Sequence, residues 1–105
     1  MSRLQLPMPP PIPLTARFRP KPHVLVRELE GEAVLLDLDT GRYFGLNATG
    51  ARIWALLDGE RDLEQLLDEL LQEHVVSRER LLQDVRELIA GLRAQGLLVA
   101  VEPTP

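Results

Sequence analysis

The side chains that could do chemistry are few, and none of them stands in a catalytic pattern. His23 and His74 are far apart and show no His-x-x-x-His or Glu-x-x-His spacing, so we expect partly packed or solvated histidines rather than metal ligands. Ser77, one of two serines, stands where a helix cap is expected, which argues against a serine-centred triad. The lack of cysteine excludes disulfides, thiolate metal sites and cysteine nucleophiles. The sequence therefore predicts a protein that is not an enzyme.

One acidic stretch matches a cation site only at its start. Asp37, Asp39 and Gly41 have the spacing that opens a calcium loop, but that loop needs a glycine at its sixth position and a glutamate at its twelfth. Arg42 and Ala48 stand there instead. A Gly-rich phosphate loop is also missing from the sequence. We expect neither a metal ion nor a cofactor.

The same acidic stretch predicts a turn between two strands. Gly41 can take the positive φ that a short connection demands. Apolar residues 33–36 precede the turn, and residues 42–46 suit a strand. Another strand, beginning at His23, completes a three-stranded antiparallel sheet. The strand at residues 42–46 is then an edge.

Three helices follow, each with a recognisable start. Asn47, Asp62 and Ser77 stand where a side-chain oxygen can cap the helix behind it. The second helix repeats leucine at helical spacing, and the third holds its apolar residues within an arc of about 120°, so each buries one face. Residues 97–101 can return as a last short strand. The predicted fold class is α+β, a winged helix-turn-helix with an N-terminal three-stranded antiparallel sheet and three helices.

Composition divides the chain into two parts. Residues 1–22 hold seven of the nine prolines, and we predict a flexible, polyproline-like segment there. Three roles stay open for it: a passive leader, a docking segment for a partner enzyme, or an arm whose basic residues fold back on the body. Residues 23–102 are the predicted folded domain.

Charge is unevenly distributed between these parts. Residues 1–22 carry four basic and no acidic residues, whereas the rest of the chain has eight basic and sixteen acidic residues. An acidic body disfavours a nucleic-acid partner, because phosphate backbones are met by clustered Lys and Arg. No apolar run reaches the roughly 18 residues that cross a bilayer, and the N-terminus does not look like a signal peptide. We expect a cytoplasmic protein that binds neither nucleic acid nor membrane.

Several motifs after the first strand are shared with one known family. They are Leu35-Leu36-Asp37, the run Thr40-Gly41-Arg42-Tyr43-Phe44, the run Leu46-Asn47-Ala48-Thr49-Gly50, Ile53-Trp54 with Gly59, and the stretch from Asp84-Val85 to Leu98. On these motifs the sequence resembles the PqqD-like family, the RiPP recognition elements. These small winged-helix domains bind the leader segment of a precursor peptide for modifying enzymes.

The resemblance implies a binding mode in which the leader peptide lies between the third strand and the third helix and extends the sheet. Native edge strands are usually blunted by charge, proline or a bulge, and the predicted edge strand has none of these after Arg42. We therefore expect β-strand addition of a guest peptide at this edge. The candidate peptide-binding residues are Arg42, Tyr43, Phe44, Gly45 and Leu46 on the strand, and Leu81, Asp84, Val85, Leu88 and Gly91 on the helix.

Two pathways fit the resemblance. In lasso-peptide systems such a protein works with a leader peptidase, a transglutaminase-like cysteine protease, and with a macrolactam-forming cyclase. In PqqD-type systems it presents the precursor to a radical SAM enzyme. We favour the lasso context on the overall look of residues 41–50. A third interpretation, a regulator that reads DNA with its third helix, is disfavoured by the acids among the basic residues of that helix.

Overall fold

The computed structural model describes residues 12–102, which form five strands and three helices. In chain order these are β1 (Phe18–Pro20), β2 (Val24–Leu29), β3 (Glu32–Asp37), β4 (Tyr43–Leu46), α1 (Ala48–Leu56), α2 (Leu63–Glu73), α3 (Arg78–Ala94) and β5 (Leu98–Ala100). Strands β2, β3 and β4 form one antiparallel sheet in that order, and β1 pairs with β5 in a second.

Two tight turns build the three-stranded sheet. Glu30 and Gly31 connect β2 to β3 with φ angles of 51° and 83°, the left-handed values typical of a short hairpin. At the end of β3, the Oδ1 atom of Asp37 accepts a hydrogen bond from the amide of Asp39 at 2.9 Å. The amide of Gly41 donates to the carbonyl of Asp37 at 2.7 Å. The turn predicted between β3 and β4 is confirmed.

Each helix begins at its predicted cap. The side chain of Asn47 accepts from the amide of Gly50 at 2.8 Å, and that of Ser77 accepts from Arg80 at 3.2 Å. Asp62 forms a reciprocal capping box at the start of α2. These contacts satisfy first-turn amides that would otherwise lack a partner. Because Asn47 directly follows β4, the start of α1 is fixed relative to that strand.

The hydrophobic core lies between one face of the three-stranded sheet and the helices. Leu35 and Phe44 are on this inner face, and Leu36 and Tyr43 are on the opposite, outer face, because side chains alternate along a strand. Leu35 is completely buried. The helices contribute the other large core side chains, among them Ile53, Leu66, Leu67, Leu70, Val85 and Ile89.

Part of the proline-rich segment is folded, which corrects the predicted division of the chain at residues 1–22. Phe18 is 2% exposed, and β1 pairs with β5 beside it. Pro20 is tolerated because it ends a strand, where one missing amide costs little pairing. Burying the side chain of Phe18 stabilises this strand by more than the polyproline tendency of its neighbours disfavours it. Residues 1–11 of the predicted segment lie outside the described residues.

The α+β class is confirmed, together with the three helices and a three-stranded antiparallel sheet whose third strand is an edge. The name winged helix-turn-helix stays a prediction. The last short strand is observed as β5, and its pairing with β1 was not predicted. Between residues 12 and 102, no helix combines the length and the apolar character needed to span a membrane.

Candidate functional site

The outer edge of β4 presents unpaired main-chain groups. The amide of Asp37 donates to the carbonyl of Arg42 at 2.9 Å, which sets the alternation of hydrogen bonds between β3 and β4. Phe44, two residues on, therefore bonds β3, while the N–H and C=O groups of Tyr43 and Gly45 point away from it. No strand within residues 12–102 pairs with this side of β4. The edge can accept one more strand.

A groove of about 530 Å³ lies between the N-terminal end of α1, which directly follows β4, and the side of α3. Leu88 from α3 gives it apolar surface and packs against the core, and the almost fully buried Ile53 of α1 lies beneath it. Its lining consists of Asn47, Thr49, Gly50, Ile53, Asp84, Glu87 and Leu88. The groove combines apolar surface with polar side chains at its rim.

Two carboxylates give the α3 wall of the groove a negative charge. Asp84 Oδ2 lies 3.8 Å from Arg80 Nε, and Gln83 Nε2 donates to Glu87 Oε1 at 3.4 Å. Both contacts are long and exposed to solvent, so they contribute little to stability. The wall opposite is the N-terminal end of α1, whose aligned peptide dipoles carry partial positive charge. The groove therefore has an acidic side and a weakly positive side.

The candidate residues on α3 fall into three groups. Asp84 and Leu88 line the groove. Leu81 and Val85 are 2% and 0% exposed and are core residues, which corrects their prediction as lining residues. Val85 lies at the middle of the apolar arc. Leu81 lies only about 20° from Leu88 around the helix but two turns nearer its N-terminus, where it is part of the core cluster. Gly91 is on the same flank of α3 as Asp84, and a Cβ built on it would meet nothing within 4 Å.

The candidates on β4 are divided between the two faces of the sheet. Phe44 is half-buried on the inner face, with the guanidinium of Arg42 5.3 Å from the centre of its ring. Leu46 is 8% exposed and belongs to the core. Gly45 leaves open space at the edge. Tyr43 is 70% exposed on the outer face, away from α3, which corrects its prediction as a side chain of the cleft.

The turn before β4 brings together three side chains that could ligate a cation. One ligand atom from each of His23, Asp37 and Asp39 lies within 4.8 Å of the others. His23 Nε2 is 3.5 Å from Asp37 Oδ1, and its Nδ1 is 3.8 Å from Asp39 Oδ2. These contacts tie β2 to the turn between β3 and β4. Hydrogen bonds from the amides of the turn satisfy the buried carboxylate of Asp37. The expectation that the chain has no metal site stays a prediction.

The pKa of Asp37 reflects this environment. Burial works to raise the pKa, but hydrogen bonds from the amide of Asp39 and from the hydroxyl and amide of Thr40, with the charge of His23, outweigh it. The pKa of Asp37 is therefore lowered from its ordinary value of 3.8.

Five lining residues were not among the candidates: Asn47, Thr49, Gly50, Ile53 and Glu87. Helical periodicity could have identified Glu87, because it follows Asp84 by three residues and shares its side of α3. The sequence assigned the others to helix entry or to the core. Their second role depends on how α3 packs across α1, which no local pattern reveals.

The fold and the site together define a small α+β domain in which one sheet edge and a neighbouring groove lie open. Residues 32–98 match the family described as "Coenzyme PQQ synthesis protein D (PqqD)". The match spans more than half of the chain, and the chain belongs to the PqqD family. The family resemblance predicted from the motifs is confirmed. No curated protein matches the sequence.

Solved structures with the same fold include two peptide complexes. The structure described as "TbiB1 in Complex with the TbiA(beta) Leader Peptide" is 36% identical, with a TM-score of 0.71, over 76% of this chain and 93% of that chain. "Lasso peptide synthetase B1 complexed with the leader peptide" is 30% identical, with a TM-score of 0.72, over 80% and 99% of the two chains. The heterocyclase TruD, 24% identical with a TM-score of 0.60 over 86% of this chain and 12% of TruD, supports the fold alone.

Proposed function

We propose that this chain is a non-catalytic binding protein that captures the leader segment of a precursor peptide by β-strand addition to β4. The observation that carries the proposal is the open edge of β4, where the main-chain groups of Tyr43 and Gly45 point away from β3. The groove begins at Asn47, directly after this strand. An extended guest at this edge gains main-chain hydrogen bonds and directs alternate side chains toward Phe44 and Leu88.

The opposite edge of the sheet, formed by β2, is a poorer receptor. The alternation that frees Tyr43 and Gly45 on β4 directs the main-chain groups of Val26 and Glu28 outward on β2. Glu28 itself and the adjacent Arg27 place charge along this edge, and charged side chains discourage strand pairing. We therefore assign the guest to β4.

The guest must be held by few anchors. Ordering a strand of six residues costs on the order of 10 kcal/mol in conformational entropy. A dissociation constant between about 1 nM and 1 μM corresponds to a net gain of about 8 to 12 kcal/mol, which two or three buried side chains supply. The half-buried side chain of Leu88 in the groove is suited to contact such an anchor.

The proposed pathway is lasso-peptide biosynthesis. Similarity to two proteins described in complex with leader peptides, one of them a lasso peptide synthetase B1, supports a leader peptide as the guest. The chain then delivers the precursor to a leader peptidase and a cyclase. Presentation to a radical SAM enzyme is the second candidate, and the match to a PQQ synthesis family favours it. The enzymes encoded beside this chain's gene distinguish the two.

A DNA-binding role is disfavoured by the partners of the arginines on α3. Arg78 approaches Glu64 and Asp68, and Arg80 approaches Asp84. Arg86 donates to a main-chain carbonyl at 3.0 Å, and Arg93 lies over the ring of Phe18. All four are engaged within the chain. Random duplex DNA at low salt should therefore not bind saturably.

Gly45→Pro is the substitution that tests strand addition. The amide of Gly45 points away from β3, so proline removes a hydrogen bond to the guest while leaving the β3–β4 ladder intact. We expect the affinity for the leader peptide of the precursor encoded beside this chain's gene to fall about 10-fold or more, because a carbonyl of the guest loses its donor. Fluorescence anisotropy with a labelled leader measures this.

Val26→Pro is the matched control. It places the same residue at an outward-pointing amide of the other edge of the sheet, and we expect it to leave the affinity within about 2-fold of the original. Circular dichroism checks that both variants are folded. Equal loss of affinity in the two variants, or unchanged binding in Gly45→Pro, would contradict strand addition at β4.

A further inference from the structure

A row of apolar side chains crosses the outer face of the sheet. Leu25, Leu36 and Tyr43 lie side by side on β2, β3 and β4. Leu25 is 52% exposed and Tyr43 is 70% exposed. An open depression of about 550 Å³ follows this row and is lined by these three residues together with Val26, Arg27, Leu29 and Val34. The row ends at the free edge of β4 with the ring of Tyr43, and no side chain within residues 12–102 covers most of this ring.

The register of β4 determines which guest side chain reaches this row. The free N–H and C=O groups of Tyr43 belong to one residue, so a guest residue directly opposite forms a hydrogen-bonded pair with it. Residues paired in this way carry their side chains on the same face of a sheet. The guest residue opposite Tyr43 therefore projects onto the outer face, and its two neighbours project toward the groove.

We infer that Tyr43, which is paired with Leu36 on β3, forms a second specificity subsite, outside the groove, that selects an apolar side chain of the guest peptide. The inference rests on the proposed function and adds to it the chemical class of one guest position. An apolar guest side chain extends the row from three strands to four and covers the ring of Tyr43. A charged or small polar side chain there leaves the row open to water.

The subsite is separate from the groove because the two lie on opposite faces of the sheet. Strands in a sheet are spaced by about 4.8 Å, so a guest beside β4 is about 5 Å from Tyr43 and about 14 Å from Leu25 on β2. Tyr43 is thus within reach of the guest, and Leu25 is not. This difference provides a matched control on the same apolar row.

A double-mutant cycle tests the subsite. Each residue of the leader peptide described above is replaced in turn by serine, and its affinity is measured by fluorescence anisotropy for the original chain, Tyr43→Ser and Leu25→Ser. We expect one leader position at which serine weakens binding to the original chain by about 2- to 5-fold, the strength of a cross-strand pair. The same replacement should have no effect in Tyr43→Ser and the full effect in Leu25→Ser.

The positions of the coupled residues give a stricter criterion. A leader position that couples to Leu88→Ser faces the groove, so its residue number must differ by an odd number from that of the position that couples to Tyr43. An even difference would overturn the inference, as would a leader that binds normally while no position couples to Tyr43. A change of mass in Tyr43→Ser by sedimentation would also overturn it, since the row would then be buried between two copies. A leader that does not bind the original chain contradicts the proposed function itself.

Discussion

At the scale of single residues, Asp37 organises the turn that leads into β4. It is 4% exposed, and its carboxylate accepts hydrogen bonds from two amides of the turn that leads into this strand. His23 approaches the same carboxylate from the start of β2. One side chain thus fixes both the turn and its distance from the neighbouring strand. Strand β4 can receive a guest only if its edge is held still.

The lowered pKa of Asp37 predicts how stability depends on pH. A carboxyl group whose pKa is lower in the folded state stabilises the fold in its ionised form. This contribution is fully present above the ordinary pKa of 3.8 and is lost as the pH falls through the lowered value. We expect the difference in melting temperature between the original chain and Asp37→Asn to be largest near neutral pH and to narrow in acid.

Thermal unfolding of both proteins across the acid range measures this difference. Asparagine keeps an oxygen that can accept from the turn amides but has no charge, so the comparison isolates ionisation. A difference in melting temperature that stays constant down to strongly acid pH would contradict the assigned environment of Asp37.

At the scale of elements, the junction of β4 with α1 links the strand edge to the groove. Asn47 follows the strand, caps the helix and lines the groove. Gly50 leaves space beside it, because a Cβ at that position would lie 3.3 Å from Asn47 Oδ1 and 3.4 Å from Leu46 Cβ and would crowd the cap. The strand, the cap and the groove therefore form one unit, and we expect a substitution at the cap to alter the shape of the groove.

Two cap substitutions separate the stability of a helix from the shape of the groove. Asn47→Ala and Ser77→Ala each remove a cap, and we expect each to lower the free energy of unfolding by about 0.5 to 2 kcal/mol. Only Asn47→Ala should also weaken leader binding, because Ser77 is not among the residues that line the groove. Urea unfolding and anisotropy measure the two effects. Equal losses of affinity would show that the cap acts on binding only through stability.

The sequence predicted elements far better than contacts between them. The caps at Asn47, Asp62 and Ser77 and the edge position of β4 follow from local patterns, and all are observed. It was harder to predict which residues of a helix are buried and which line the groove. Leu81 and Val85 share a periodicity with Leu88, and only the packing of α3 against its neighbours decides which of them is buried. Of the residues predicted on α3, Asp84 and Leu88 line the groove, and the contribution of α1 to that groove was not predicted.

At the scale of the whole molecule, a second sheet closes the fold. Strands β1 and β5 pair with each other, and the amide of Gly59 donates to the carbonyl of Phe18 at 2.9 Å. The ring of Phe18 is buried under the guanidinium of Arg93, 5.4 Å from its centre. This strand was not predicted, because the many prolines of the segment indicated a polyproline conformation and the sequence did not show that Phe18 is buried. The segment adds to the body outside the residues matched by the family.

Phe18→Ala tests whether this second sheet supports the fold. Removing a fully buried phenylalanine leaves a cavity, and we expect the free energy of unfolding to fall by about 3 to 5 kcal/mol. Arg19→Ala, at the exposed neighbouring position of β1, should change it by less than about 0.5 kcal/mol. Urea unfolding compares the two variants. A stable Phe18→Ala protein would mean that β1 is not part of the folded body.

The most direct test of the proposed function is hydrogen exchange of the β4 amides, measured residue by residue with NMR. Before a guest is added, Phe44 should exchange slowly because its amide bonds β3, whereas Tyr43 and Gly45 should exchange quickly. Adding the leader peptide should slow exchange at Tyr43 and Gly45 and leave Val26 and Glu28 on β2 unchanged. A leader that binds without protecting Tyr43 and Gly45 would contradict strand addition at this edge.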